Sequence, residues 1–155
     1  MRERELWSDY MKAYEDAFAA APQLELFTKS CPDFVHFVER GETSGDSVTK
    51  AAEHYLSGLK SSGIDTLVLG CTHYPLLTGV ISFVMGDGVT LVSSADETAK
   101  DLYRILVEKK LLRSSSKPPT YSFISSGNPE EFSNLARRFL GPEVLTVKRS
   151  DGSWQ

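Results

Sequence analysis

Apolar residues recur along this chain with two spacings, one typical of helices and one typical of buried strands. The clearest strand is predicted at residues 64–69, an almost uninterrupted apolar run between two glycines. Such a run is expected for a strand that is buried on both faces of a parallel sheet. Further strands are predicted at residues 24–28, 90–93, 121–125 and 144–147.

Helices are predicted between these strands. Their boundaries follow from capping residues, from prolines at first helical positions and from terminating glycines. The predicted helices are residues 9–21 (ending before Pro22), 46–62 (capped at Gly45-Asp46 and stopping at Gly63), 75–85 (Pro75 at its start), 95–110 (capped by Ser94) and 129–140 (capped by Asn128 and ending at Gly141). A polar linker rich in serine and proline is predicted at residues 113–119. Strands that alternate with helices indicate parallel βαβ units and an α/β fold.

Composition and charge exclude several classes of protein. The 155 residues are 41% hydrophobic and 25% charged, which is ordinary for a globular protein and argues against intrinsic disorder. The formal net charge of -4 and the lack of a basic face argue against a nucleic-acid partner. No signal peptide and no apolar run of about 20 residues is present, so we expect no membrane partner and a cytoplasmic location. Two cysteines are too few for a disulfide framework.

Cys71 is the strongest candidate for chemistry in the sequence. It lies one glycine beyond the predicted 64–69 strand, at the end of a parallel sheet where ligands bind. The positive end of a following helix would favour the reactive thiolate form. Thr72 adds a hydroxyl and His73 an imidazole on the same turn. A small buried apolar residue is the structural alternative for Cys71. With three His and two Cys in the chain, no metal site is expected.

Several segments resemble a known family in the same order along the chain. The run LVLGCTHYPLL at residues 67–77 is similar to a cysteine motif of the glutamate racemases, in the aspartate/glutamate racemase family. Residues 13–21, 30–41 and 90–99 also match the family, and their sequences are typical of its actinobacterial members. The resemblance implies an α/β fold of two facing domains. It also implies cofactor-independent interconversion of L- and D-glutamate for peptidoglycan synthesis.

The resemblance further implies roles for individual residues. Inverting the α-carbon of glutamate requires one group to remove a proton from one face and a second group to deliver a proton to the other. The family uses two cysteines, and Cys71 matches the second of them. Thr72 and His73 match residues that bind substrate and assist that thiol, and Glu39 matches an acidic residue near the same histidine. The alternative for Glu39 is an exposed carboxylate ending a helix. Cys31 matches a residue without a catalytic role, so we expect it to be buried by packing.

Part of the family's pattern is not found in this sequence. The Asp-Ser-Gly turn and the Asn-Thr motif with the first catalytic cysteine have no match here. The resemblance therefore predicts that residues 1–98 form the second racemase domain without its first strand, and that residues 99–155 form the C-terminal segment that completes the first domain. We expect little activity from the chain alone, and a homodimer in the full-length protein.

Three other functions remain open from the sequence. The first is racemisation of aspartate. The residues of the 67–77 motif favour glutamate over aspartate as the substrate. The second is a non-catalytic remnant or module that binds glutamate-like ligands through Thr72 and His73. The third is a thiol enzyme with Cys71 as nucleophile and His73 as base, although adjacent residues on a turn rarely reach hydrogen-bond geometry.

Overall fold

The computed structural model describes residues 16–150 and Gly152, and these residues form two successive α/β units. The first unit contains α1 (Pro32–Glu39), α2 (Asp46–Ser61), β1 (Thr66–Leu69), a 3₁₀ helix (Tyr74–Leu77), α3 (Thr78–Met85) and β2 (Thr90–Ser93). The second unit contains α4 (Ser94–Glu108), β3 (Phe123–Ser125), α5 (Pro129–Leu140) and β4 (Val147–Arg149).

Both sheets are parallel pairs within the described part of the chain. β1 pairs with β2 so that Thr66 lies opposite Thr90 and Leu69 opposite Ser93. β3 pairs with β4 in the same sense, with Phe123 opposite Val147. A helix joins the two strands of each pair, as parallel strands require a crossover connection. The predicted α/β class with parallel βαβ units is confirmed.

The core lies where α1, α2 and α3 meet the end of β1. Its buried members are Cys31, Phe34, Val38, Val48, Ala52, Leu56, Leu59, Leu69, Leu77, Val80, Ile81, Val84 and Met85. Phe34 is 1% exposed and stands edge-to-face against two rings, Tyr55 at 5.6 Å and Tyr74 at 5.4 Å between centroids. Those contacts join α1 to α2 and to the turn that follows β1. The position of that turn therefore depends on core packing.

The strands differ from their predicted limits in four places. The strand predicted at residues 64–69 begins at Thr66 as β1. Residues 24–28 form no strand in the structure, so that prediction is wrong. The last strand begins at Val147, because Val144 is fully buried as a core residue and its carbonyl accepts a 2.8 Å hydrogen bond from Arg137 Nε. The strand predicted at 121–125 is shortened to β3. Apolar character alone therefore does not predict a strand at these positions, because sheet pairing also requires a partner backbone.

Helix ends are closer to expectation, with informative exceptions. α2 and α5 lie within one residue of their predicted bounds, and Asn128 accepts the N–H of Glu130 as the predicted cap of α5. The cap of α4 is Ser93 and not Ser94, since the Ser93 hydroxyl oxygen accepts the N–H of Asp96. Ser94 Oγ instead donates a 2.8 Å hydrogen bond to the Leu69 carbonyl oxygen. The predicted 75–85 helix is divided into the 3₁₀ helix and α3.

Two further predicted helices end earlier in the structure than the sequence predicts. α4 ends at Glu108 and not at residue 110. Of the helix predicted at residues 9–21, residues 16–18 are helical and residues 19–21 are not, and the part before residue 16 lies outside the described residues.

Candidate functional site

The turn after β1 carries the predicted chemical groups. Gly70 follows the last residue of β1, and Cys71, Thr72 and His73 then lead into the 3₁₀ helix with Pro75 at its start. Cys71 is partly exposed and is not part of the buried core, so its thiol is open to a ligand. The helix that directly follows has only four residues, and α3 begins at Thr78. The expected α-helix N-terminus therefore does not lie directly at Cys71.

The structure places Thr72, His73 and Glu39 in one connected group. Thr72 Oγ1 lies 3.3 Å from His73 Nδ1, and His73 Nε2 lies 3.7 Å from Glu39 Oε1. Glu39 is the last residue of α1, as the helix-end interpretation had it, and its side chain remains 56% exposed. The carboxylate favours a proton on Nε2, which leaves Nδ1 to accept the Thr72 hydroxyl proton. The imidazole is thus held between an acceptor and a donor.

Cys31 has a different environment from Cys71. It is 2% exposed and belongs to the core, which confirms the packing interpretation. Burial raises the pKa of the Cys31 thiol to about 12, and the nearby charge of Lys29 acts in the opposite direction. At neutral pH Cys31 is therefore a neutral thiol, and of the two thiols only Cys71 is accessible to solvent.

Tyr74 is a residue of the site that sequence reasoning did not single out. Its phenol oxygen accepts a 3.0 Å hydrogen bond from the backbone N–H of Cys31. Burial raises the pKa of Tyr74, so the phenol is neutral over the physiological range. Its position directly after His73 in the residue 67–77 motif was the available signal. The bond attaches the start of α1 to the turn that carries Cys71.

A groove is lined by β1 and by the turn that follows it. Its volume is about 510 Å³, and it is lined on one side by residues 23–31 and on the other by residues 62–71. Cys31 and Cys71 both belong to its lining. The volume lies in the range of pockets for small molecules. The groove also separates residues 24–28 from β1, where a further strand would pair.

Other histidines and an aromatic residue of α1 and α2 belong to the surface or the core. His36 and His54 are both exposed, while Phe37 packs partly buried against the core. No group of three or more His, Cys, Asp and Glu side chains suited to a metal ion occurs among the described residues. In the same part of the chain, no helix has the length and apolar character needed to cross a membrane.

Comparison with known proteins identifies the relatives of this chain. No protein-family model matches it. Over 145 aligned residues it is 61% identical to the glutamate racemase of Beutenbergia cavernae, covering 88% of this chain and 50% of that protein. It is 59% identical over 137 residues to the glutamate racemase of Leifsonia xyli, with the same coverage of 88% and 50%. The chain is homologous to one half of a glutamate racemase. The predicted resemblance to actinobacterial glutamate racemases is confirmed, and the chain spans about half the length of the curated relatives it matches.

Solved glutamate racemase structures share the fold. A glutamate racemase isoform from Bacillus anthracis superposes with a TM-score of 0.77 at 34% identity, covering 90% of this chain and 51% of that one. The glutamate racemase of Francisella tularensis, solved in complex with D-glutamate, gives a TM-score of 0.73 at 32% identity and covers 84% and 48%. These superpositions show that the parallel α/β arrangement is that of the glutamate racemase fold.

Proposed function

We propose that this chain supplies one side of a glutamate racemase active site, with Cys71 as one of two acid/base groups. One observation carries the proposal: the partly exposed thiol lies at the carboxyl end of β1, on the groove of about 510 Å³ and beside the linked Thr72 and His73. The 61% identity to a glutamate racemase supports the same assignment.

The reaction is a balanced transfer of protons. The Cys71 thiolate takes the α-proton from one enantiomer of glutamate, and an acid on the opposite face delivers a proton to the same carbon. In the reverse direction the opposite group removes the proton and the Cys71 thiol donates. The step transfers protons only and changes no oxidation state, so it requires no redox cofactor. The barrier lies in the weak acidity of the α-proton, which the site must offset by stabilising the carbanion-like transition state.

The neighbours of Cys71 have separate roles in this proposal. Thr72, which is exposed, and His73 bind the substrate on the Cys71 side. Glu39 acts through His73, since its carboxylate at 3.7 Å orients the imidazole and fixes its tautomer. Glu39 is thus a positioning residue, and Cys71 is the group that contacts the reacting carbon.

The opposite face of the substrate requires groups from the half of the racemase that this chain does not span. We propose that residues 1–98 belong to the second racemase domain and that residues 99–155 complete the first domain. The buried Cys31 does not supply the second base, because its thiol is held in the core with a raised pKa. In the complete protein we propose glutamate as substrate, D-glutamate for peptidoglycan as the product, a cytoplasmic location and a homodimer.

The test is a chimera in which this chain replaces the matching half of the Beutenbergia cavernae racemase. Proton NMR of L- and D-glutamate in D₂O follows the loss of the α-proton signal. We expect exchange with the chimera, no exchange with the isolated chain, and loss of exchange with Cys71→Ala. Cys31→Ala is the matched control and should keep exchange.

Two results would contradict the proposal. A folded chimera that exchanges neither enantiomer, or one that keeps full exchange after Cys71→Ala, would remove Cys71 from the reaction. Exchange of aspartate in preference to glutamate would instead assign an aspartate racemase.

A further inference from the structure

The carbonyl group of Leu69 lies where the parallel pairing of β1 and β2 ends. Leu69 is opposite Ser93 in the last pair of the register. The next residue, Ser94, is already the first residue of α4, so the ladder does not continue there. Leu69 is 3% exposed, and the polar groups of a buried backbone require hydrogen-bond partners within the protein.

The side chain of Ser94 supplies that partner. Its Oγ donates a 2.8 Å hydrogen bond to the Leu69 carbonyl oxygen. Ser94 is itself half-buried, so the bond is partly shielded from water. It attaches the first turn of α4 to the last residue of β1, two residues before Cys71.

The neighbouring Ser93 makes a different hydrogen bond. It is half-buried like Ser94, but its hydroxyl oxygen accepts the N–H of Asp96 at 3.2 Å and caps α4. One serine therefore stabilises the helix and the next attaches the helix to β1. Removal of the Ser93 hydroxyl weakens α4 and leaves the bond to Leu69 in place.

Residues 70–73, which we call the Cys71 turn, are held at both ends. The Ser94–Leu69 bond lies at the start of the turn, and the 3.0 Å bond between the Cys31 amide and the Tyr74 phenol lies at its end. In the described part of the chain, no hydrogen bond holds the Cys71 side chain itself. The place of the thiol therefore depends on how the backbone is fixed at the two ends.

The start of the turn has the greater freedom to move. Gly70 alone joins Leu69 to Cys71, and glycine has the widest range of backbone conformations. The orientation of the Leu69 carbonyl group thus sets the direction in which the chain leaves β1 toward the thiol.

We propose that Ser94 is a positioning residue for Cys71, which it holds in place through the Leu69 carbonyl group. The inference rests on the proposed function, because it takes Cys71 as an acid/base group. Ser94 acts through the backbone and is not itself an acid or base of the reaction, since its hydroxyl proton is donated to Leu69. A displacement of about 1 Å at a reacting group can lower a rate about 100-fold, so a bond of this kind has kinetic consequences.

The first measurement is the rate at which iodoacetamide alkylates each thiol, with the sites located by mass spectrometry, in the isolated chain and in the chimera described above. Ser94→Ala should increase the alkylation rate of Cys71 by about threefold or more, because release of the turn exposes a thiol that is now partly covered. The rate at the buried Cys31 reports opening of the core and should stay nearly unchanged. Ser93→Ala is the matched control and should leave the Cys71 rate as it is.

The second measurement is the rate of α-proton exchange by the same chimera. With Ser94→Ala we expect kcat to fall by about tenfold or more while KM changes little, because the thiol is displaced and the substrate contacts remain. Ser94→Thr keeps a hydroxyl donor on the same carbon and should restore both the exchange rate and the slower alkylation of Cys71. Ser93→Ala should keep kcat near the wild-type value.

The outcomes separate positioning from stability. Faster alkylation of both thiols in Ser94→Ala would mean that the bond stabilises the chain as a whole, and it would overturn the inference. Equal effects of Ser93→Ala and Ser94→Ala would do the same, as would a Ser94→Ala chimera that keeps the wild-type kcat. A wild-type chimera without α-proton exchange would contradict the proposed function, and the alkylation rates would still decide whether Ser94 holds the Cys71 turn.

Discussion

The backbone N–H of Cys31 donates a 3.0 Å hydrogen bond to the phenol oxygen of Tyr74, across 43 positions of sequence. Cys31 directly precedes α1, and Tyr74 directly follows His73. The bond therefore fixes the start of α1 against the turn after β1. Because Glu39 lies at the other end of α1, the same bond helps to set the 3.7 Å separation of Glu39 and His73.

Tyr74→Phe should destabilise the chain by about 1–2 kcal/mol, since the amide of the buried Cys31 then loses its partner. Urea unfolding followed by circular dichroism measures the change. Tyr55→Phe is the control, because the Tyr55 hydroxyl donates to the exposed carboxylate of Asp33 at 2.7 Å, which water can replace. We expect the control to cost less than about 1 kcal/mol. Equal losses would mean that the Cys31–Tyr74 hydrogen bond contributes no more to the free energy of unfolding than the exposed Tyr55–Asp33 bond.

Phe34 is the packing centre that supports this arrangement. Phe34→Ala should cost about 3–5 kcal/mol, because it empties a fully buried site and removes two edge-to-face contacts. Phe34→Leu keeps most of the volume and provides a measurable variant if the alanine variant does not fold. Phe83→Ala should change the free energy of unfolding by less than about 0.5 kcal/mol, as Phe83 is 75% exposed. A similar loss at both phenylalanines would place the core elsewhere.

Much of this fold is encoded locally, and the exceptions depend on distant contacts. Gly45 caps α2 and Asn128 caps α5 as the sequence predicts, since capping needs only neighbouring residues. The strand predicted at residues 24–28 does not form, because strand propensity is realised only when a partner edge lies within hydrogen-bonding reach. In the structure a groove separates that segment from β1.

In the candidate site, too, some features follow from local sequence and others depend on distant contacts. The place of Cys71 beyond β1 follows from the apolar run at 64–69, and the nearness of Glu39 to His73 is predicted only by the family resemblance. The role of Tyr74 depends on α1 folding back over the turn, which no local pattern encodes.

The buried Cys31 thiol makes stability depend on pH in the alkaline range. Its pKa is about 12 in the folded state against 9.0 for the ordinary thiol, so the folded state holds this proton more tightly. The contribution is fully present below pH 9, and it is lost as the pH rises toward 12. A single such group gives a slope of about 1.4 kcal/mol per pH unit at most.

Urea unfolding between pH 8 and pH 10.5, with the slope of Cys31→Ala subtracted from the wild-type slope, checks this expectation. Val48→Ala is the control and should keep the wild-type slope, since Val48 is buried in the same core and carries no titratable group. A Cys31→Ala variant with an unchanged slope would show that another group is responsible.

Glu39→Gln should separate positioning from stability. The Glu39 side chain is 56% exposed, so loss of its 3.7 Å contact with His73 should change the free energy of unfolding by less than about 1 kcal/mol. Loss of the carboxylate frees the imidazole to reorient, and we expect α-proton exchange by the chimera to fall by about tenfold or more. Glu42→Gln is the matched control, because Glu42 pairs with Arg40 at 2.8 Å and does not contact His73. Parallel losses of exchange in both variants would indicate a general charge effect.

The end of α4 offers a site where a substitution should stabilise the chain. Lys110 has a φ of 55°, the one positive value at a non-glycine residue in the described part of the chain. The N–H of Lys110 donates to the Val107 carbonyl oxygen at 3.0 Å and that of Leu111 to the Leu106 carbonyl oxygen at 2.8 Å, which is the Schellman termination.

Glycine adopts this conformation without the strain of a Cβ atom, so Lys110→Gly should stabilise the chain by about 0.5–1 kcal/mol. Lys109→Gly, at a φ of -84°, should destabilise instead. Thermal unfolding of both variants measures the difference, and a loss of stability with Lys110→Gly would show that α4 does not end in this turn in solution.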